Sequence, residues 1–233
     1  MLPTVTTNIP PGAPDAGPAG RLQVLATEHW SLLATRSLTY NEALSRVTIF
    51  LAILSGAVIA LALVAQADSF GRTSISIAIP VLLIVLFTGI ATVRRLVMLN
   101  SDDFRWVVGT NRLRHAYLQM YPELEPHFVA SQYDDLPGAL QTLGIEHATS
   151  NSGMGSLFHL VQTLPGMLAV IVGAVGGAIA ALSAQLLGVP PLGAIAAAAV
   201  AFVVVVAAMS ISNRRSVVTV APSLMPRFPS PRE

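Results

Sequence analysis

HATSNSGMGSLFHLVQTLPGMLAVIVGAVGGAIAALSAQLLGVPPLGAIAAAAVAFVVVVAAMSISN, residues 147–213, decides the fold of this chain, because it holds no Asp, Glu, Lys or Arg over 67 residues. Leu, Val, Ala, Ile and Gly fill most of it, and it breaks once, at Gly188-Val189-Pro190-Pro191. A surface that faces water needs charge, and one that faces lipid cannot carry it. The stretch therefore reads as two membrane-spanning helices joined by a tight turn. Two further apolar runs, Val47–Ala67 and Ile75–Val93, form a second pair. The expected fold is all-α: a polytopic membrane protein with four transmembrane helices in two hairpins, carrying cytoplasmic helical extensions.

Composition agrees. Hydrophobic residues make up 53% and charged residues 11%, against a usual charged share of about 25%. Cysteine is absent, which excludes disulfides, thiolate nucleophiles and Cys-ligated metals. All 13 basic residues are Arg. With the abundance of Ala and Val, this suggests a GC-rich bacterial genome and so a bacterial inner-membrane protein.

The polar parts divide as follows. Residues 1–20 are rich in Pro and Gly and are expected to be disordered. They lack the basic start and apolar centre of a signal peptide. Residues 21–121 hold an amphipathic segment, the first hairpin (47–67 and 75–93) and a helical extension. Residues 122–156 read as a linker, with turn chemistry at Asp134-Asp135-Leu136-Pro137-Gly138 and a loop at Asn151-Ser152-Gly153. Residues 157–211 are the second hairpin. Residues 212–233, with Pro222, Pro226, Pro229 and Pro231, read as a loose tail.

Arginine placement gives the orientation. Arg36 and Arg46 precede the first span, Arg94 and Arg95 follow the second, and Arg214 and Arg215 follow the fourth. The first external loop has only Arg72, partly balanced by Asp68, and the second has no charge. The positive-inside rule then puts both termini and the middle segment in the cytoplasm.

Apolar residues continue at helical spacing outside the spans. Leu22, Leu25, Leu32, Leu33, Tyr40, Ala43 and Leu44 lead into the first span; Phe104, Val108, Leu113, Tyr117 and Met120 follow the second. The first stripe either lies on the membrane with Trp30 and Tyr40 at headgroup level or packs on the middle segment. The second is too apolar to leave in water. An antiparallel pair of the two, a stalk continuing the first hairpin inward, satisfies both.

Inside the spans the conspicuous feature is small residues. Gly166, Ala169, Gly173, Gly176 and Ala180 repeat at intervals of 3 and 4, and Gly173 and Gly177 form G-x-x-x-G. Small residues let helix backbones approach closely in lipid. Ala52, Gly56 and Ala60 offer a matching stripe on span one, and Pro80 and Gly89 are candidate kinks in span two.

Signals for catalysis are weak. Helical metal ligands stand three or four apart, whereas Glu28-His29 and Glu146-His147 are adjacent and Glu123-Leu124-Glu125-Pro126-His127 is interrupted by Pro126. His159 reads as an interfacial anchor. Gly173-Ala174-Val175-Gly176-Gly177 lacks the Lys-Ser or Lys-Thr of a phosphate loop. Ser55, Thr88, Ser183 and Gln185 are sparse polar groups for a solute path. No catalytic, cofactor or metal site is expected. The expected partners are the lipid bilayer, a second copy of the chain and a cytoplasmic protein; nucleic acid is not expected.

Two resemblances add to this. Thr27-Glu28-His29-Trp30-Ser31-Leu32-Leu33-Ala34-Thr35-Arg36-Ser37-Leu38, then Asp102-Asp103-Phe104-Arg105-Trp106 and Asn111-Arg112-Leu113-Arg114, resembles a group of uncharacterised, chiefly actinobacterial, four-span integral membrane proteins. The layout of Arg21–Tyr121 is distantly similar to the two-span SLATT effector modules, which implies a membrane-acting, pore-forming role. The second hairpin departs from that pattern, and neither resemblance supplies a catalytic residue. The expected role is structural or regulatory: a self-associating membrane protein whose cytoplasmic helices bind a partner. The rival expectation is an oligomeric pore or small-solute channel.

Overall fold

The computed structural model describes residues 17–67, 71–144, 163–220 and 225–231, with the backbone alone over 213–220. All regular structure among these residues is helical. α1 is Pro18–Ala67, α2 Arg72–Met120, α3 Leu136–Leu143, α4 Leu164–Leu186 and α5 Pro191–Val220, with a 3-10 turn at Pro122–His127 between α2 and α3. Four of them, α1, α2, α4 and α5, are long and apolar enough to cross a membrane.

α1 and α2 are far longer than a span needs. Their 50 and 49 residues extend roughly 75 Å each at 1.5 Å per residue, against about 30 Å of hydrocarbon. α1 starts with Pro18 in its first turn, where a missing N–H costs nothing. α2 runs through Pro80 without a break and stops at Tyr121, ahead of Pro122.

α1 and α2 run antiparallel, because their contacts pair in opposite order. Ser74 donates to the Val64 carbonyl at one end (3.2 Å). Toward the other end Arg95 meets Glu42, Arg36 meets Asp103, and the His29 ring lies 6.0 Å from Tyr117. Between these, a Cβ on Gly109 would stand 3.3 Å from Leu32 Cδ1. The stripe of α1 that includes Leu32 and Ala43 is covered by α2. Trp30 and Tyr40 stay exposed.

α2 is the spine of the bundle and packs on each of the other helices. One core joins Val47 and Phe50 of α1, Leu82, Val85, Val93 and Leu96 of α2, and Leu168, Val172 and Val175 of α4. α4 and α5 pack tightly along their length. Their connection turns at Gly188, whose φ of +75° places it in the left-handed region that favours glycine. Arg72 reaches across and donates to the Leu186 carbonyl at the end of α4 (3.3 Å), a favourable place for a cation. At the far end, Pro165 of α4 shares a cleft with Arg36 and Asn100, and Met209 of α5 shares one with Arg94 and Met98. The start of α1, the end of α2, the start of α4 and the end of α5 thus lie on one side of the bundle.

The described elements depart from the sequence reading at the N-terminal segment, in the linker and at both ends of the second pair. The N-terminal segment gives way to helix at Pro18, not after residue 20; residues 1–16 lie outside the described residues. The supposed linker is structured from Pro122 to Gly144, by the 3-10 turn and α3. The second pair begins at Leu164, and α5 continues to Val220, beyond the expected end at residue 211. Asp68, Phe70, Glu146, His147, the Asn151 loop and His159 fall outside the described residues.

One short motif starts two of the helices. Asp135-Leu136-Pro137-Gly138 opens α3 and Thr163-Leu164-Pro165-Gly166 opens α4. In each, the first side chain accepts a bond from the glycine N–H, at 3.0 Å in α3 and 3.2 Å in α4. This satisfies a donor that no helical carbonyl can reach, while Pro occupies the first turn. The Asp134–Gly138 run is therefore a helix start as well as a turn.

Candidate functional site: a peptide dock beside α2

The packing residues named from the sequence divide into two groups. Gly166, Ala169, Gly173, Gly176 and Gly177 are buried and Ala180 is half-buried. Gly173 faces α5, where an added Cβ would come within 2.6 Å of Val206 and 3.1 Å of Phe202. One on Gly177 would stand 3.0 Å from the Ala198 carbonyl oxygen. Gly176 sits between Val205 of α5 and Leu86 of α2. The α4 stripe is a contact within the chain. The α1 stripe is not: Ala52, Gly56 and Ala60 are all exposed, and nothing lies within 4 Å of a Cβ at Gly56. Span one packs instead through Phe50, Leu54, Ala57 and Leu61. Gly89, named from the sequence as a candidate kink, is a close approach: its added Cβ would lie 2.6 Å from Val172 and 2.9 Å from Phe50.

The arginines named for topology mostly have partners. Arg36 makes a two-point bond to Asp103 (2.7 and 3.2 Å). Arg95 and Arg46 share Glu42. These pairs are part-exposed and screened by water, so each contributes little to stability. Arg94 is exposed at the mouth of the α2–α5 cleft. The side chains of Arg214 and Arg215 lie outside the described residues. Among the described residues, no three His, Asp or Glu side chains converge as metal ligands.

The most elaborate polar arrangement lies elsewhere, where α2, α3 and the C-terminal segment meet. It is organised by Asn111, which is fully buried on α2. Its amide nitrogen donates to the carbonyls of Tyr133 (2.7 Å) and Gly138 (3.2 Å). Its oxygen accepts from Arg114 (2.8 Å) and Thr142 (2.9 Å). All four bonds available to a side-chain amide are made, so Asn111 fixes the approach to α3 and α3 itself against α2. Val107, Val108 and Ala139 close a small core beneath it. Gly138 has no room for a side chain, since its Cβ would collide with the Tyr133 carbonyl.

This frame presents two carboxylates to residues 225–231. Asp134 is 2% exposed. It accepts from Arg112 Nε (2.7 Å) and from the backbone N–H groups of Arg227 (2.9 Å) and Phe228 (2.8 Å). Its own N–H donates to the Phe228 carbonyl (3.1 Å). Arg112 also donates to the Met225 carbonyl (3.1 Å). Asp135, besides capping α3, accepts the N–H (2.7 Å) and the hydroxyl (2.5 Å) of Ser230. The Phe228 ring stacks on His115 at 3.9 Å between centroids. The expectation of a loose tail is therefore corrected for residues 225–231. Five bonds hold their main chain, which bends at Arg227 and Phe228.

Burial alone pushes the Asp134 carboxyl up. The Arg227 N–H, the Arg112 guanidinium and the Phe228 N–H outweigh it and hold the group below its ordinary 3.8. For Asp135 burial again acts upward, and the Ser230 hydroxyl and N–H with the Gly138 N–H hold it below the same value. Both carboxylates are built to stay ionised while the segment is bound.

Comparison of the chain with family models, with curated proteins and with solved structures gives no match. The functional reading rests on the geometry above.

Proposed function

We propose that this chain is a self-associating integral protein of a bacterial inner membrane, with a structural or regulatory role. α1–α2 and α4–α5 form two transmembrane hairpins. The inner parts of α1 and α2 form a cytoplasmic stalk, and a module at its end binds a polypeptide segment. The observation that carries this reading is the Asp134–Asp135 dock, a site that holds a main chain through its N–H groups and is occupied by residues 225–231. The arginine distribution supports the cytoplasmic placement. The uncovered face of Ala52, Gly56 and Ala60 supports association between copies in the membrane plane. The resemblance to four-span actinobacterial proteins accords with this layout. The pore reading has less support: Thr88, Thr92 and Ser210 spend their hydroxyls on carbonyls of their own helices.

Two measurements test it. The native chain has no cysteine, so single cysteines at the exposed positions Val129 and Leu187 report orientation directly. In intact cells an impermeant thiol reagent is expected to label Leu187→Cys and to reach Val129→Cys only after the membrane is opened. Labelling of Val129→Cys alone from outside would invert the topology. Purified protein in liposomes is expected to retain a trapped dye; rapid leakage would replace the scaffold with a pore.

A further inference from the structure

We infer that the dock formed by Arg112, His115, Asp134 and Asp135 is a peptide-binding site that accepts residues 225–231 of a second copy of this chain in exchange for its own. The inference rests on the reading of the module as a polypeptide-binding part of a self-associating protein, and it names the ligand.

The chemistry of the site specifies the ligand class. Asp134 is a buried carboxylate that takes one bond from its own module, through Arg112, and two from the N–H groups of successive tail residues. With the tail removed, two of those three donors are gone. A main chain laid across the carboxylate supplies both again, in charge-assisted bonds. The ligand must bend where Arg227 and Phe228 do, so that two consecutive N–H groups turn toward one carboxylate. It must also place an aromatic ring against His115 and put a Ser or Thr two residues further on, against Asp135. Pro226, Pro229 and Pro231 hold φ near the extended value before binding, so little freedom is lost.

The segment on the page that meets this description is Pro226-Arg227-Phe228-Pro229-Ser230, and every copy carries it. Four residues, 221–224, separate it from the end of α5. α5 itself extends past its apolar part, which ends at Ser212. Each copy in the same bilayer therefore presents both tail and dock on the same side and at the same depth. Exchanging identical segments between identical docks creates no new contact, which makes it an accessible route to association. Confinement to one membrane plane raises the effective concentration of the partner's tail.

The test uses full-length chains in detergent. Phe228→Pro removes one donating N–H and the stacked ring, and leaves the dock open. A fluorescent peptide of residues 224–233 is expected to bind this variant at least tenfold more tightly than the wild type, whose own tail competes. Adding Asp134→Asn to the open variant should weaken that binding about a hundredfold. If Phe228→Pro fails to keep its helical content, Phe228→Ala with Ser230→Ala opens the same site. In a second arm, Phe228→Pro chains, with dock but no tail, are mixed with Asp134→Asn chains, with tail but no working dock. Energy transfer between the labelled variants is expected to rise with concentration and to collapse with excess peptide. No peptide binding to a folded open variant overturns the site. Peptide binding without association of the two variants, or association that survives excess peptide, overturns the second copy as the occupant. Neither arm depends on membrane orientation or on dye retention, so this inference and the broader functional reading fail separately.

Discussion

Asp134→Asn is expected to release residues 225–231 from the module while leaving the four long helices in place. The asparagine is almost the same shape but has one acceptor oxygen where the carboxylate has two. Its NH2 either replaces Oδ1 and faces the Phe228 N–H, or replaces Oδ2 and faces the Arg227 N–H and Arg112. Charge-assisted bonds of this kind each contribute roughly 1.5–3 kcal/mol, and a donor left facing a donor costs more. A net loss of about 3 kcal/mol is expected, which is about a hundredfold in the docking equilibrium. The readout is amide hydrogen exchange. Protection of the Arg227, Phe228 and Ser230 N–H groups should vanish in the variant, while amides of α4 remain protected. Unchanged protection at these three amides would mean that the tail is held by Phe228 and the prolines, and that the carboxylate is incidental.

The same release should be reachable by acid. Asp134 and Asp135 both have folded-state carboxyl values held below the ordinary 3.8. A group depressed on folding stabilises the docked state in full above its ordinary value. That stabilisation is lost as the pH falls below 3.8 and through the lowered folded-state value, because protons bind the undocked form first. The tail should therefore be docked at neutral pH and be released as the solution is made acid. A cysteine-attached probe on residue 231 would follow it. Release on raising the pH from neutral would have the opposite sign and would contradict the assignment of these carboxylates as the clamp.

The four apolar helices were legible because lipid imposes a compositional rule that residues such as Val203 to Val206 obey without any partner. The continuation of α2 past Arg94 was legible because Phe104, Val108 and Tyr117 keep the helical period, and that period survives in water. The dock was not. Its ligand is recognised chiefly through main-chain N–H and C=O groups, which every residue carries, so nothing in Pro226–Ser230 marks it as a ligand. Asn111 was visible in the run Asn111-Arg112-Leu113-Arg114, but its four bonds reach residues up to 31 positions away. The start of α3 was written in Asp135, Pro137 and Gly144 and was outweighed by the turn chemistry of the same residues. Small-residue stripes showed which faces are smooth, but not what meets them. Gly173 meets α5, whereas Gly56, in a similar pattern, meets nothing within the chain.

Gly89→Ala is expected to destabilise the bundle by about 2 kcal/mol, although alanine is the better helix former. Gly89 lies where α1, α2 and α4 converge. Its added Cβ would stand 2.6 Å from Val172 Cγ2 and 2.9 Å from Phe50 Cε2. Neither neighbour can step aside. Val172 is β-branched and stiff at χ1, and both it and Phe50 are almost fully buried in the shared core. Overpacking of this kind costs roughly 1–3 kcal/mol, and more where several side chains must move. Against it stands a gain of roughly 0.8–1 kcal/mol in helix propensity. The balance is sharpened by a second glycine of the same helix. At Gly109 the nearest neighbour of an added Cβ is Leu32 Cδ1 at 3.3 Å, the free end of a flexible side chain. There the propensity gain should win, and Gly109→Ala should be neutral or slightly stabilising. Thermal unfolding in one detergent, with both variants beside the wild type, gives the comparison. If Gly89→Ala and Gly109→Ala shift the midpoint equally, the three helices do not meet at Gly89 as closely as its contacts require, and the core joining α1 to α4 across α2 would be the part of the fold to revise.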